Sequence, residues 1–310
     1  MAKSLISHRP GLAVTLKLSA LFLFSIMSAL VKAVSDTIPP GESVFFRSLF
    51  AIPVILVWLA ARGEFPSGLR VKKISGHVWR GLLGTMAMGL NFAGLGLLPL
   101  PEVTAIGYAT PIFTLILAAL ILGERIRLIR VSAVAIGLAG VVVMLWPRLG
   151  GDLGDAAALG AVLILAATIV RSFVQITLRQ MVKTDTTSAI VFYFSASSTL
   201  LALLTIPFGW VMPDPTTAVM LVLMGLIGGV AQILITSSFR FADASLLAPF
   251  DYVSMLFAIV IGYVWFSELP TLVMLIGAAL VIAGNGVVIW REHQLGLERG
   301  KARSVTDPKS

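Results

Sequence analysis

Cysteine is absent from the 310 residues, and charged side chains make up only 12% of them. The first absence excludes disulfide scaffolds and thiolate metal sites. The second excludes an ordinary soluble domain, in which about a quarter of the residues are charged. Histidine is scarce too: its three copies stand far apart at His8, His77 and His293. A membrane-embedded enzyme would need clustered histidines or carboxylates to hold a metal or activate a nucleophile, and the loops are short. No cofactor is expected.

What fills the chain is apolar, 58% of it. The apolar residues gather into ten segments, near 12–34, 43–61, 77–98, 102–122, 128–146, 156–178, 187–208, 217–239, 244–266 and 271–290. Each is long enough to cross about 30 Å of hydrocarbon at about 1.5 Å per helical residue. Backbone groups in lipid must be satisfied internally, and none of these segments alternates strictly with period two. They are therefore expected to be helices rather than barrel strands. The fold class is an all-α integral membrane protein, with lipid as its surroundings.

The net charge of +8 suggests a polyanionic partner until its distribution is read. With the N-terminus inside, the tails and the even-numbered connections carry 19 of the 23 Lys and Arg; only Lys32 and Arg148 fall in odd-numbered ones. That is the positive-inside pattern, and it predicts an inner (plasma) membrane protein with both termini cytoplasmic. Arg70, Lys72 and Lys73 form an orientation signal, and no nucleic-acid partner is expected. The opening MAKSLISHRPGLAVTLK looks like a signal peptide, yet SALVKAVSD offers no small-residue cleavage site, so a retained first helix is expected.

The chain also repeats itself. AGVVVMLW at 139–146 returns as AGNGVVIW at 283–290, an offset of 144 residues. The same offset pairs Gly81 with Gly225, Gly84 with Gly228, Ala87 with Ala231, Tyr108 with Tyr252, Phe113 with Phe257 and Glu124 with Glu268. Further upstream the register slips, with VFF at Val44 facing VFY at Val191. The chain thus divides into residues 1–147, residues 148–291 and a cytoplasmic tail, 292–310. Five crossings per copy is an odd number, so the second copy enters the membrane from the opposite side. Two inverted five-helix repeats are the architecture of alternating access.

These features resemble the drug/metabolite transporter superfamily, and within it the EamA-type transporters. The resemblance rests on YATPIFTLILAALILGERI followed by VAIGLAGVVVML in the first half. In the second half it rests on PFDYVSMLFAIVIGYVWFSELP followed by MLIGAALVIAGNGVVI. It implies a secondary transporter of a small polar or amphipathic metabolite: similar proteins export amino acids, take up vitamins or cofactors, or exchange sugar-nucleotide conjugates. Cargo, direction, coupling ion and oligomeric state stay open, and a passive channel is the remaining alternative to the enzyme. The second half departs from the pattern, with Ser267 where the first has Gly123 and with Pro249 displaced from the position matching Pro111.

Ionisable residues inside a membrane mark function by default. Arg47, Arg171 and Asp251 qualify. Arg47 is close enough to a helix end to snorkel to the outer interface. Arg171 and Asp251 lie at similar depth and could pair; Asp251, whose short carboxylate cannot snorkel, is the candidate for proton coupling. Pro111 and Pro249 predict interrupted helices at corresponding places. Tyr108 and Tyr252 beside them either line a site, bracketing the midplane, or belong to an interfacial belt. Asn91, Gln175 and Gln232 are candidate cavity groups or interhelical glue, Gln175 sharing a helical stripe with Thr168 and Arg171. Glu124 and Glu268 are helix-end residues of the resembled family, with capping or gating as their expected role. His77 is expected to be a solvated loop side chain.

Overall fold

The computed structural model describes residues 9–122, 128–149, 156–242 and 244–305. Among them there is no β-strand, and twelve α-helices make up the ten expected units. These are α1 (Pro10–Val34), α2 (Pro40–Ala61), α3 (Ile74–Leu97), α4 (Leu100–Gly107), α5 (Thr110–Leu122) and α6 (Leu128–Leu149). The second half has α7 (Ala156–Thr184), α8 (Thr187–Leu203), α9 (Pro215–Phe241), α10 (Ala244–Leu247), α11 (Val253–Phe266) and α12 (Leu272–Val305). Residues 10–34, 40–61, 100–117, 156–184, 215–241 and 249–266 are long and apolar enough to cross a membrane, and shorter apolar helices occupy 132–146, 187–203 and 272–287. In α3 the stretch is diluted by His77, Arg80 and Asn91.

Local chemistry sets the helix starts. Pro10, Pro40 and Pro215 stand in first turns, where a missing N–H costs no helical hydrogen bond. Asp214 caps α9, accepting from the amides of Thr216 at 2.9 Å and Thr217 at 3.2 Å. Thr186 does the same for α8 through the Ala189 amide at 3.1 Å. α11 ends on Ser267 with φ 56°, a left-handed turn that usually takes glycine. Gly123, its counterpart at the 144-residue offset, lies outside the described residues.

The fourth and ninth units are broken at matching places. α4 stops at Gly107, Tyr108 and Ala109 form a turn, and α5 resumes at Thr110. Pro111 lacks an N–H and so cannot bond the Gly107 carbonyl; the Thr110 hydroxyl donates to it instead at 2.7 Å. Asn285 of α12 donates to the Tyr108 carbonyl at 2.9 Å. In the ninth unit, α10 passes through a 3₁₀ turn, Ala248–Tyr252, into α11. The two interruptions contain Tyr108 and Tyr252.

The packing pairs follow one rule. α1 lies against α9 as α7 lies against α3; α2 meets α9 as α8 meets α3; α1 meets α11 as α7 meets α5. Three further pairs, α6 with α12, α2 with α8 and α4 with α11, join corresponding units. Where α6 crosses α12 the match reaches single atoms. A Cβ on Gly140 would lie 2.6 Å from the Gly277 carbonyl and 2.8 Å from the Val281 amide; one on Gly284 would lie 2.7 Å from the Ala133 carbonyl and 2.9 Å from the Gly137 amide. Small residues permit that approach, which dispersion and weak backbone contacts reward in a lipid setting.

Candidate functional site

The broken units face each other across a cavity of about 460 Å³. Tyr108 and Tyr252, both lining it, meet ring to ring, 5.1 Å apart and nearly perpendicular. The Tyr108 hydroxyl donates to the Tyr252 carbonyl at 3.2 Å and lies 3.0 Å from the Ser254 hydroxyl. Tyr108 is buried. The pair is thus one contact that joins the two interrupted units.

Asn91, Arg171, Gln175, Gln232, Asp251, Pro111 and both tyrosines line this cavity. Asn91 accepts from Arg171 Nη2 at 2.8 Å. Gln232 accepts from Arg47 Nη2 at 3.3 Å and donates toward Thr236. Pro249 is exposed within the 3₁₀ turn and is not a lining residue. Glu124 lies outside the described residues.

Three expectations are corrected. Arg171 does not pair with Asp251: the carboxylate sits 2.7 Å from Lys17 Nζ, and Arg171 is held by the neutral Asn91. Lys17 reaches Asp251 because α1 begins at Pro10, placing the lysine two turns into the helix. Arg47 does not snorkel; it is 2% exposed, covered by α8 and α9, whose Phe194 and Gln232 it touches. His77 is buried rather than solvated, with Nε2 3.4 Å from Asp185 and its ring against Tyr193.

Sequence reasoning missed Lys17 and Arg80, both of which line the cavity. They fall inside the apolar segments 12–34 and 77–98, where their count toward orientation hid their depth. Among the described lining residues four cations, Lys17, Arg47, Arg80 and Arg171, face one carboxylate, Asp251. A low-dielectric pocket strengthens such a field.

The ends of the cavity differ. At one end Glu268 binds Lys32 at 2.9 Å and accepts the Leu100 amide at 2.8 Å, while Lys32 also donates to the Leu98 carbonyl at 2.7 Å. This clamp ties the end of α11 to the end of α1 and the start of α4. At the other end the Asp251 side chain is 40% exposed. Away from the lining residues, Asp185 accepts from the Lys72 amide at 3.0 Å, its carbonyl accepts from Arg240, and Thr186 donates to the Gly68 carbonyl.

Residues 11–146 and again 158–290 match the model of the EamA-like transporter family. The Pseudopaline exporter CntI of Pseudomonas aeruginosa (strain UCBPP-PA14) is 29% identical over 87% of this chain and 93% of its own length. The S-adenosylmethionine uptake transporter of Rickettsia prowazekii (strain Madrid E) is 28% identical over 89% of this chain and 92% of its own. A solved crystal structure matches with a TM-score of 0.64 at 23% identity, covering 90% of this chain and 97% of that one; this likeness concerns the fold alone.

Proposed function

Because the chain belongs to the EamA-like transporter family, we propose that it is a secondary carrier moving a small polar or amphipathic metabolite through the central cavity by alternating access. It is a multi-pass membrane transporter, not an enzyme. The observation that carries the reading is the cavity of about 460 Å³ at the meeting of two interrupted helices, the placement expected for cargo in carriers built from repeats. The double family match, the interchanged packing pairs and the reciprocal glycine contacts support two repeats related by a pseudo-twofold axis. Odd numbers of crossings per repeat make them inverted. The relatives named as an exporter and as an uptake transporter leave both directions open for this chain.

On the Lys and Arg distribution the Asp251 end is cytoplasmic and the Glu268 clamp is on the outside. The conformation is then closed outside and accessible from within. Asp251, paired with Lys17, is the candidate proton carrier. Labelling of single cysteines in this cysteine-free chain should place Lys72 and Lys183 inside and Asp214 outside; the reverse would overturn the orientation. A thermal-shift screen over amino acids, vitamins, nucleotides and S-adenosylmethionine selects the cargo to load into proteoliposomes. A short thiol cross-link between cysteines at Lys32 and Glu268 should stop its transport while leaving its binding from the Asp251 side. Transport at the normal rate with the clamp locked would exclude rocking.

A further inference from the structure

We propose that Arg47 and Arg80, which share the ring of Phe194 on the cavity wall, are a subsite for an oxyanion group, carboxylate or phosphate, of the transported metabolite. The proposal rests on the cavity being the cargo's path. The Arg47 guanidinium lies 5.6 Å from the ring centroid and that of Arg80 lies 4.3 Å from it. Both side chains are nearly buried, 2% and 5% exposed, and both line the cavity.

Among the described residues their charges lack a counterion. Among the described residues the ion pairs are Lys17 with Asp251, Lys32 with Glu268, Arg62 with Glu64 and His77 with Asp185. Neither arginine takes part. Arg47 has one long hydrogen bond to Gln232, and its Nε and Nη1 are buried without a partner; so is Arg80 Nε. A guanidinium stays charged at any pH the cell reaches, so neutralising itself is not an escape. One ring's quadrupole offers each cation a weak attraction and leaves their mutual repulsion in place. The lining carboxylate, Asp251, is already engaged by Lys17.

Two fixed cations without an anion are a preorganised half of an ion pair, and the other half has to come through the cavity. Guanidinium suits this task because its planar donors match the oxygens of a carboxylate or phosphate, and because it sheds water more readily than an ammonium group. If the pair served only to join α2, α3 and α8, anions would gain nothing by entering.

The test uses the purified full-length chain in detergent at matched ionic strength, titrated with succinate, phenyl phosphate and the uncharged succinamide. Succinate or phenyl phosphate should bind at least about tenfold more tightly than succinamide, and Arg47→Gln and Arg80→Gln should each weaken that binding by about 10- to 100-fold, the loss of a charge-assisted contact. Arg62→Gln, at an exposed pair, should bind as wild type does. Which of the two anions binds distinguishes carboxylate from phosphate. Equal binding of succinamide overturns the proposal, as does undiminished anion binding in the glutamine variants. If those variants fail to fold, Arg47→Lys and Arg80→Lys keep the charge and should bind the anions more weakly than wild type, while the anion-against-amide comparison on the wild-type chain decides independently. Normal transport of the screened cargo by both glutamine variants would sink the subsite alone. Anion binding with no transport in proteoliposomes would sink the carrier reading and leave the anion site standing.

Discussion

Gly140→Ala adds one methyl group where backbone approaches backbone between the halves. That methyl would stand 2.6 Å from the Gly277 carbonyl oxygen, 2.8 Å from the Val281 amide nitrogen and 2.9 Å from Leu280 Cβ. Two of these neighbours are backbone, which cannot swing aside as a side-chain tip can, so α6 and α12 have to separate along the seam. Overpacking of this kind costs about 1–3 kcal/mol. Alanine's better helix propensity returns about 1 kcal/mol, leaving a net loss of about 0–2 kcal/mol against wild type and about 1–3 kcal/mol against a glycine-to-alanine change that meets no neighbour. Gly286→Ala is the internal control, since its methyl meets nothing within 4 Å and should be neutral or mildly stabilising. The chain's six tryptophans allow both variants to be melted in detergent by intrinsic fluorescence. Gly140→Ala should melt a few degrees below the Gly286→Ala control, at about 2 °C per kcal/mol for a chain of this length. A Gly140→Ala protein that melts at or above the Gly286→Ala control would refute the close crossing.

Three further outcomes follow from the same geometry. Asp251→Asn should abolish uptake driven by a pH gradient while preserving cargo binding; it should also strand buried Lys17, costing about 1–2 kcal/mol after allowance for the exposure of Asp251, and Asp251→Asn with Lys17→Gln should recover part of this in the melting temperature. Gradient-driven uptake unchanged in Asp251→Asn would reject the coupling role. Ser267→Gly should raise the melting temperature by relieving a left-handed non-glycine residue, and Ser267→Val should lower it; identical melting of the two would contradict the turn. The Thr217 hydroxyl, followed by the Thr217 and Thr216 amides, holds the Asp214 carboxyl below its ordinary value of 3.8, so its stabilisation is present above that value and fades as pH falls through the depressed one. The melting deficit of Asp214→Ala should therefore shrink on acidification below pH 4, and a deficit independent of pH would count against the cap.

The helical units were legible because apolar length and the 144-residue offset are one-dimensional signals. The broken helices were legible through Pro111 and, by correspondence, through Tyr252, although the ninth unit breaks over a 3₁₀ turn and not at one proline. Asn91, Arg171, Gln175, Gln232 and Asp251 stood out because polar groups within apolar runs need partners. Which partners they chose was not legible. Lys17 meets Asp251 because α1 lies against the turn preceding α11, a contact between residues 234 positions apart. Arg80 was hidden for a different reason: four residues inside its segment, it read as a loop charge until α8 brought Phe194 over it. Glu268 read as a helix-end residue; its clamp on Lys32 depends on the left-handed Ser267 turning the chain back, and no propensity rule assigns that conformation to serine.

The crossing of α6 with α12 also sets a timetable. α6 is complete at residue 149 and its partner begins at residue 272, so on a ribosome adding about 5–20 residues per second the first waits roughly 6–25 s for the second. Throughout that interval the face of α6 around Gly140 lacks the helix it packs against. α12 is thus the helix that completes the first half, and a chain terminated after α11 lacks more than one crossing: it leaves a finished helix permanently without the surface it was shaped to meet.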